Sequence, residues 1–165
     1  MDRFKEWISL LEEKALLCKT YCDKVYKAKS KTELVRCVLD ANGSSFLQEM
    51  QAVGSPLPYD VICSVFRSYI NGRYVAEFRN EKGNGYTSKM YCQHQEPITV
   101  DTTLCSILGC KCDVVIKKNN FAQLYVDSES DIRIFLEEGA QVLVDIWNGA
   151  QVSTNDDKRT KVTIH

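Results

Sequence analysis

Apolar side chains recur at steps of three and four over Phe4, Trp7, Ile8, Leu11, Ala15, Cys18, Cys22 and Val25, while Arg3, Lys5, Glu6, Glu12, Glu13 and Lys19 fill the positions between. Residues so spaced share a helix face, so the pattern predicts one amphipathic helix of about seven turns. Ser30 followed by Glu33 has the form of a capping box, and Leu34, Val35, Val38 and Leu39 supply the buried side of a second helix that ends at Asn42-Gly43. Ser45 with Gln48 repeats the box for a short third helix through Met50, stopped near Gly54. Pro58 suits the first turn of a fourth, whose face is Val61, Ile62, Val65, Phe66 and Tyr69, before Asn71-Gly72 closes it.

From Arg73 the period drops to two. Tyr74, Ala76 and Phe78 alternate with Val75, Glu77 and Arg79, and a second alternation runs from Tyr86 to Cys92 beyond a glycine-rich loop at 80–85. A hairpin is expected over 73–96. After Pro97 the pattern becomes a repeat. Apolar or β-branched pairs fall at Val114/Ile116, Leu124/Val126, Ile132/Ile134, Val142/Val144, Val152/Thr154 and Val162/Ile164, at near-constant spacing, with turn formers between them. The phrase Ala-Gln recurs at Ala122-Gln123-Leu124, Ala140-Gln141-Val142 and Ala150-Gln151-Val152. A β-solenoid, in which each strand is one side of a coil stacked on its equivalent, explains a repeated phrase by repeated geometry. An antiparallel sandwich or meander remains open, because Asn148-Gly149 is a hairpin dipeptide. The expectation is therefore an α+β chain: a helical subdomain over 1–72, a hairpin connection over 73–96 and a β-repeat module over 97–165.

Composition changes this picture little. The 165 residues carry 21 basic and 22 acidic side chains, which argues against a dedicated nucleic-acid binder, since such affinity rests on a basic field. No apolar run approaches the roughly 18 residues of a membrane span, and the first residues lack a signal-peptide core, so a cytoplasmic protein is expected. Eight cysteines would suggest a disulfide framework in a short secreted chain; in a reducing compartment they read first as small buried hydrophobes.

No established catalytic motif is present, and four constellations remain to be weighed. Cys92 and His94, with Cys110 and Cys112, offer a Cys3His set that suits tetrahedral zinc, although one intervening residue is short of the usual spacing; no other cofactor is implied. Cys92 beside His94 also has the residue types of a nucleophile and its base, without a visible third group to orient the imidazole. Lys14, Lys19, Lys24, Lys27, Lys29 and Lys31, interleaved with Tyr21 and Tyr26, form a basic stretch that a solvated helix face explains and a weak phosphate-contacting face also satisfies. Asp101, Asp113, Asp127, Asp131, Asp145, Asp156 and Asp157 read as surface charge protecting strand edges, because neither glycosidase carboxylates nor calcium nonapeptides are recognisable.

The stretches Leu39-Asp40-Ala41-Asn42-Gly43, Tyr69 to Tyr74, Gly85-Tyr86-Thr87-Ser88 with Tyr91-Cys92, and Leu108-Gly109-Cys110 resemble small uncharacterised proteins of phages and mobile elements of gut bacteria. The resemblance implies an accessory protein of a phage or prophage and brings no activity with it. Function is therefore expected from surfaces. A non-catalytic interaction or assembly module, self-associating or meeting another protein, would use Tyr125, Phe135, Ile146 and Trp147 as outward contacts. The alternative is a binder of an anionic or nucleotide-like ligand, or an enzyme, with a pocket around Arg73, Tyr74, Tyr86, Tyr91 and His94.

Overall fold

The computed structural model describes residues 2–13, 19–39, 70–73, 75–79, 81–127, 129–147 and 149–165. The chain divides into two compact units, Met1–Ile70 and Asn71–His165. The helices expected near 45–50 and 58–69 lie outside the described residues, as do Cys18, Cys63 and Tyr74.

In the first unit the described helices are α1 (Asp2–Glu13), α2 (Lys19–Lys27) and α3 (Lys31–Leu39). The single long helix expected across Phe4–Val25 is not what forms. Lys5 Nζ donates to the carbonyls of Tyr26 (3.2 Å) and Ala28 (2.8 Å), and the Tyr26 hydroxyl donates to Glu12 Oε2 (2.7 Å). In one straight helix Lys5 and Ala28 would stand about 35 Å apart, at the α-helical rise of roughly 1.5 Å per residue. α2 therefore folds back along α1. A stripe of apolar residues gains from burial wherever it finds a matching stripe, and Phe4, Ile8 and Leu11 of α1 and Cys22 and Val25 of α2 are all buried. The capping box before α3 forms as its residues suggest, with the Glu33 amide donating to Ser30 Oγ (3.2 Å). Its return bond reaches Lys29, whose amide donates to Glu33 Oε2 (2.5 Å). Leu34, Val35, Val38 and Leu39 are its buried side.

The second unit is a two-sided β-solenoid of about four turns. Its strands are β1 (Ala76–Arg79), β2 (Gly85–Cys92), β3 (Ile98–Val100), β4 (Leu104–Leu108), β5 (Lys111–Ile116), β6 (Phe121–Asp127), β7 (Asp131–Leu136), β8 (Gln141–Ile146), β9 (Gln151–Thr154) and β10 (Thr160–Ile164). Even-numbered strands and β1 build a six-stranded sheet in the order β1-β2-β4-β6-β8-β10; the odd-numbered strands from β3 build a four-stranded sheet, β3-β5-β7-β9. Every pairing is parallel except β1 with β2, where Ala76 to Arg79 run antiparallel to Ser88 to Gly85. The antiparallel sandwich is thereby ruled out. Gly149, at φ 71°, is a corner between strands of opposite sheets and does not turn a hairpin.

Parallel register stacks like on like. Leu124, Val144 and Val162 form one inward column, Val126, Ile146 and Ile164 a second, and Val114, Ile134 and Thr154 a third. These apolar columns are the core, and they account for the evenly spaced pairs in the sequence. The corners from the larger sheet to the smaller carry a left-handed residue at each level: Gln93, Gly109, Glu129 and Gly149. One Ala-Gln phrase is out of phase with the others. Ala140-Gln141 and Ala150-Gln151 start strands after corners, whereas Ala122 pairs with Val142 inside β6. Phe121, opposite Gln141, is the true counterpart there. The hairpin expected at 73–96 supplies β1 and β2, which extend the solenoid's larger sheet.

Candidate interaction surface

β10 is the last strand of the larger sheet among the described residues, and β8 is its only neighbour. The Arg159 carbonyl accepts from Val142 N (3.0 Å) and His165 N donates to the Ile146 carbonyl (3.0 Å), so residues of that parity face β8. Because backbone groups alternate sides along a strand, the amides and carbonyls of Thr160, Val162 and Ile164 face the free edge. The side chains of the same three residues continue the inward columns above Val142, Val144 and Ile146. With no further rung above them among the described residues, Val162 is 45% and Ile164 78% exposed, while Val144 one rung below is 1% exposed. The last described rung thus combines a strand edge that has no partner strand among the described residues with exposed side chains of the apolar columns.

The polar groups around this end are, in contrast, tied down. Asp156 Oδ1 accepts from the amides of Lys158 (3.0 Å) and Arg159 (3.2 Å), and Oδ2 from Arg159 Nε (2.8 Å). Arg159 Nη1 reaches the rung below, donating to the carbonyls of Glu137 (2.9 Å) and Ala140 (3.4 Å). The hydroxyls of Thr154 and Thr160 meet at 3.0 Å and close the corner between β9 and β10. The paired guanidinium holds the Asp156 carboxyl below its ordinary range. On the outer face of β10, His165 stacks on Trp147 with ring centroids 4.1 Å apart and its Nε2 lies 3.2 Å from Asp145 Oδ1, while Gln123 Nε2 donates to Asp145 Oδ2 (3.0 Å). These contacts tie the outer face of β10 to its neighbours β6 and β8.

No protein-family model, curated protein or solved structure matches this chain. What it does is therefore argued from its own residues.

Of the four expected outward contacts, Ile146 faces inward, and Tyr125, which alternates with the inward Leu124 and Val126, stands on the outer face without being exposed. Ile146 shares parity with Val142 and Val144 and lies in the core, 7% exposed. Tyr125 is buried, its hydroxyl donating to Asp127 Oδ2 (3.1 Å) and its ring 6.4 Å from Trp147. Trp147 is half-buried, and its indole Nε1 is buried with no hydrogen-bond partner among the described residues. Phe135 is exposed but sits in the other sheet, so the four do not form one patch.

The residues of the expected ligand pocket are likewise divided. Tyr91 belongs to the core, its ring 5.4 Å from that of His94, and Gly72 packs so tightly against its hydroxyl that a Cβ there would collide with it. Arg73 is exposed in the adjoining turn. Tyr86 lies at the opposite end of β2, stacked on Phe78 (4.8 Å), beside an open cleft of about 340 Å³ also lined by Glu77, Arg79 and Thr103.

The four expected zinc ligands do not converge. Cys92 alternates with the inward Tyr91 on β2 and is absent from the core cluster, whereas Cys110 lies within it and Cys112 packs against it. The His94 backbone amide, not its imidazole, meets Cys110 Sγ (3.4 Å). Among the described residues no group of three or more His, Cys, Asp or Glu side chains is placed to hold a metal ion. Burial pushes the thiols of Cys105 and Cys110 up from their ordinary value, that of Cys112 up to about 11 and the Tyr91 hydroxyl up to about 12. Protonated and desolvated, these thiols pack as small apolar groups. No helix among the described residues is long and apolar enough to cross a membrane.

The pairs Val152/Thr154 and Val162/Ile164 are readable from sequence as strands, but their position on the last described rung is not. The available signal is the entry of Thr154 into a column otherwise filled by Ile98, Val114 and Ile134.

Proposed function

We propose that this chain is a non-catalytic interaction module that takes up an extended β-strand at the open rung of its solenoid. The observation that carries the reading is Ile164: it occupies a core column yet is 78% exposed, on a strand whose outer backbone groups have no partner strand among the described residues. Strand addition recovers those main-chain hydrogen bonds and covers the apolar side chains in one step. The burial of Cys105 and Cys110, with Cys112 half-buried against the core, and the resulting upward push on all three thiols support a structural use of them.

The test is a titration of the full chain into a fluorescein-labelled peptide with the sequence of residues 158–165, read by anisotropy. A saturable rise is expected, lost in Val162→Pro, because proline removes a free-edge amide and leaves the bonds to β8 intact. A flat titration, or equal binding by Val162→Pro, overturns the reading.

A further inference from the structure

We infer that the strand taken up at the open rung is β10 of a second copy of this chain, paired antiparallel about a two-fold axis at Val162. The inference rests on the strand-addition reading and names its partner.

The argument begins with register. The edge-facing residues are Thr160, Val162 and Ile164, and an antiparallel two-fold at Val162 sets Val162 opposite Val162 and Thr160 opposite Ile164 of the second copy. Each of these opposed residues presents both its amide and its carbonyl to the other, which is the hydrogen-bonded type of antiparallel pair. All of β10 is then paired, and every inward side chain meets a β-branched residue, the kind that packs best across strands.

Charge selects this register over its neighbours. Moving the axis by one residue toward the N-terminus sets Lys161 against Lys161, a directly opposed like-charge pair that is destabilising. Moving it by one toward the C-terminus sets Lys161 against the imidazole of His165. With the axis at Val162, Lys161 lies opposite Thr163 of the second copy, and Thr163 is itself in register with Asp145 on β8. Lys161 of each copy is thus two strands, or about 10 Å at ordinary strand spacing, from the backbone of Asp145 of the other, within reach of an extended lysine. The lysine that guards the edge against indiscriminate pairing therefore fits this one partner. A second copy needs no further chemistry, since a two-fold interface uses the same patch on both sides.

Light scattering on the eluting full chain over a dilution series tests this directly. The expected result is a mass near twice 18.8 kDa at high concentration, falling toward 18.8 kDa on dilution. Val162→Pro is expected at the single mass under all conditions, with its circular-dichroism melting curve close to that of the parent. Should that variant fail to fold, Val162→Cys and Thr163→Cys decide. Under mild oxidation the Val162→Cys variant gives a disulfide-linked dimer joined through the substituted position of both copies, identified by peptide mass spectrometry, and the Thr163→Cys variant gives none. Opposed Val162 residues would have Cα atoms about 5.5 Å apart, inside the range a disulfide spans. A single mass at every concentration overturns the inference, as does a dimer indifferent to Val162→Pro. A ladder of larger species, the mark of head-to-tail stacking, or cross-linking of the Thr163→Cys variant through its new thiol overturns it too. Failure here with the labelled peptide still binding leaves the strand-addition reading standing; failure of both removes both.

Discussion

The two ends of the solenoid are built from the same kind of strand and finished differently. At the N-terminal end the chain reverses between β1 and β2, and β1 takes up the edge of β2 in antiparallel fashion; Ile98 and Val100, in the first strand of the smaller sheet, are each 1% exposed. At the C-terminal end β10 continues the parallel stack as its last described rung, with Val162 and Ile164 open to solvent. Reversal of direction ends a parallel stack, because the next rung has no parallel strand on which to continue. An edge left in the parallel direction keeps the stack ready to be extended.

The largest expected effect separates the two ends by truncation. Ile98→Ala removes a fully packed side chain and should cost about 2–5 kcal/mol in urea unfolding. Ile164→Ala, at a largely exposed position, should cost under about 0.5 kcal/mol in the undimerised chain. Equal costs would show that the exposed column is packed in solution.

Alkali should attack the closed end. Cys105, Cys110, Cys112 and Tyr91 all have folded-state values raised above their unfolded ones, so the unfolded chain releases protons first as pH rises. Their stabilising effect is complete below about pH 9 and is lost progressively above it, through about 11 for Cys112 and about 12 for Tyr91. Circular dichroism against pH should show unfolding begin before Tyr91 ionises, and Tyr91→Phe should move the midpoint upward. A midpoint unmoved by that change would count against Tyr91 as a contributor.

Glycine corners give a smaller contrast. Gly139 and Gly149 both sit at φ 71°, where an alanine costs about 1 kcal/mol. A Cβ at Gly139 would also displace the Asn119 carboxamide of the preceding corner, while a Cβ at Gly149 would meet nothing within 4 Å among the described residues beyond its chain neighbours. Gly139→Ala should therefore have the lower urea midpoint; the reverse order would mean that corners are not supported by their neighbours.

The smallest effect concerns acid at the open end. Asp156 is depressed by Arg159, so its stabilising effect is present above about pH 4 and lost as pH falls through its lowered folded value. Hydrogen exchange of β10 should quicken in that window, and Asp156→Asn should flatten the response. Asp101, depressed by its bond to Lys89 (2.7 Å), titrates in the same sense nearer the other end and serves as the internal comparison.

Much of this architecture is legible in the sequence, for a physical reason. In a parallel stack the pairing partner of Val144 is found one rung away at Leu124, so local periodicity and long-range contact carry the same message. The fold-back of α2 on α1 is not legible, because an apolar stripe records which face is buried and not what buries it. Ile146 is misplaced for a related reason: its neighbour Trp147 suggests an exposed aromatic patch, while strand parity puts it inward with Val144. The dispersal of Cys92, Cys110 and Cys112 follows from parity as well, once β2 and β5 are fixed in register. The open rung is invisible because a strand pattern does not say whether another strand follows above it.

The column of left-handed corners at Gln93, Gly109, Glu129 and Gly149 makes the length of this solenoid a quantised variable. Rung-to-rung bonds such as Lys117 to Glu137 and Arg133 to Asp113 join residues twenty apart. Gain or loss of a whole rung of that size leaves every column and corner on its own face. Gain or loss of a single residue within a strand turns a core column outward and is felt by each rung beyond it. Evolution or design can therefore move the open edge nearer to or farther from the hairpin in discrete steps, without redrawing the surface in between.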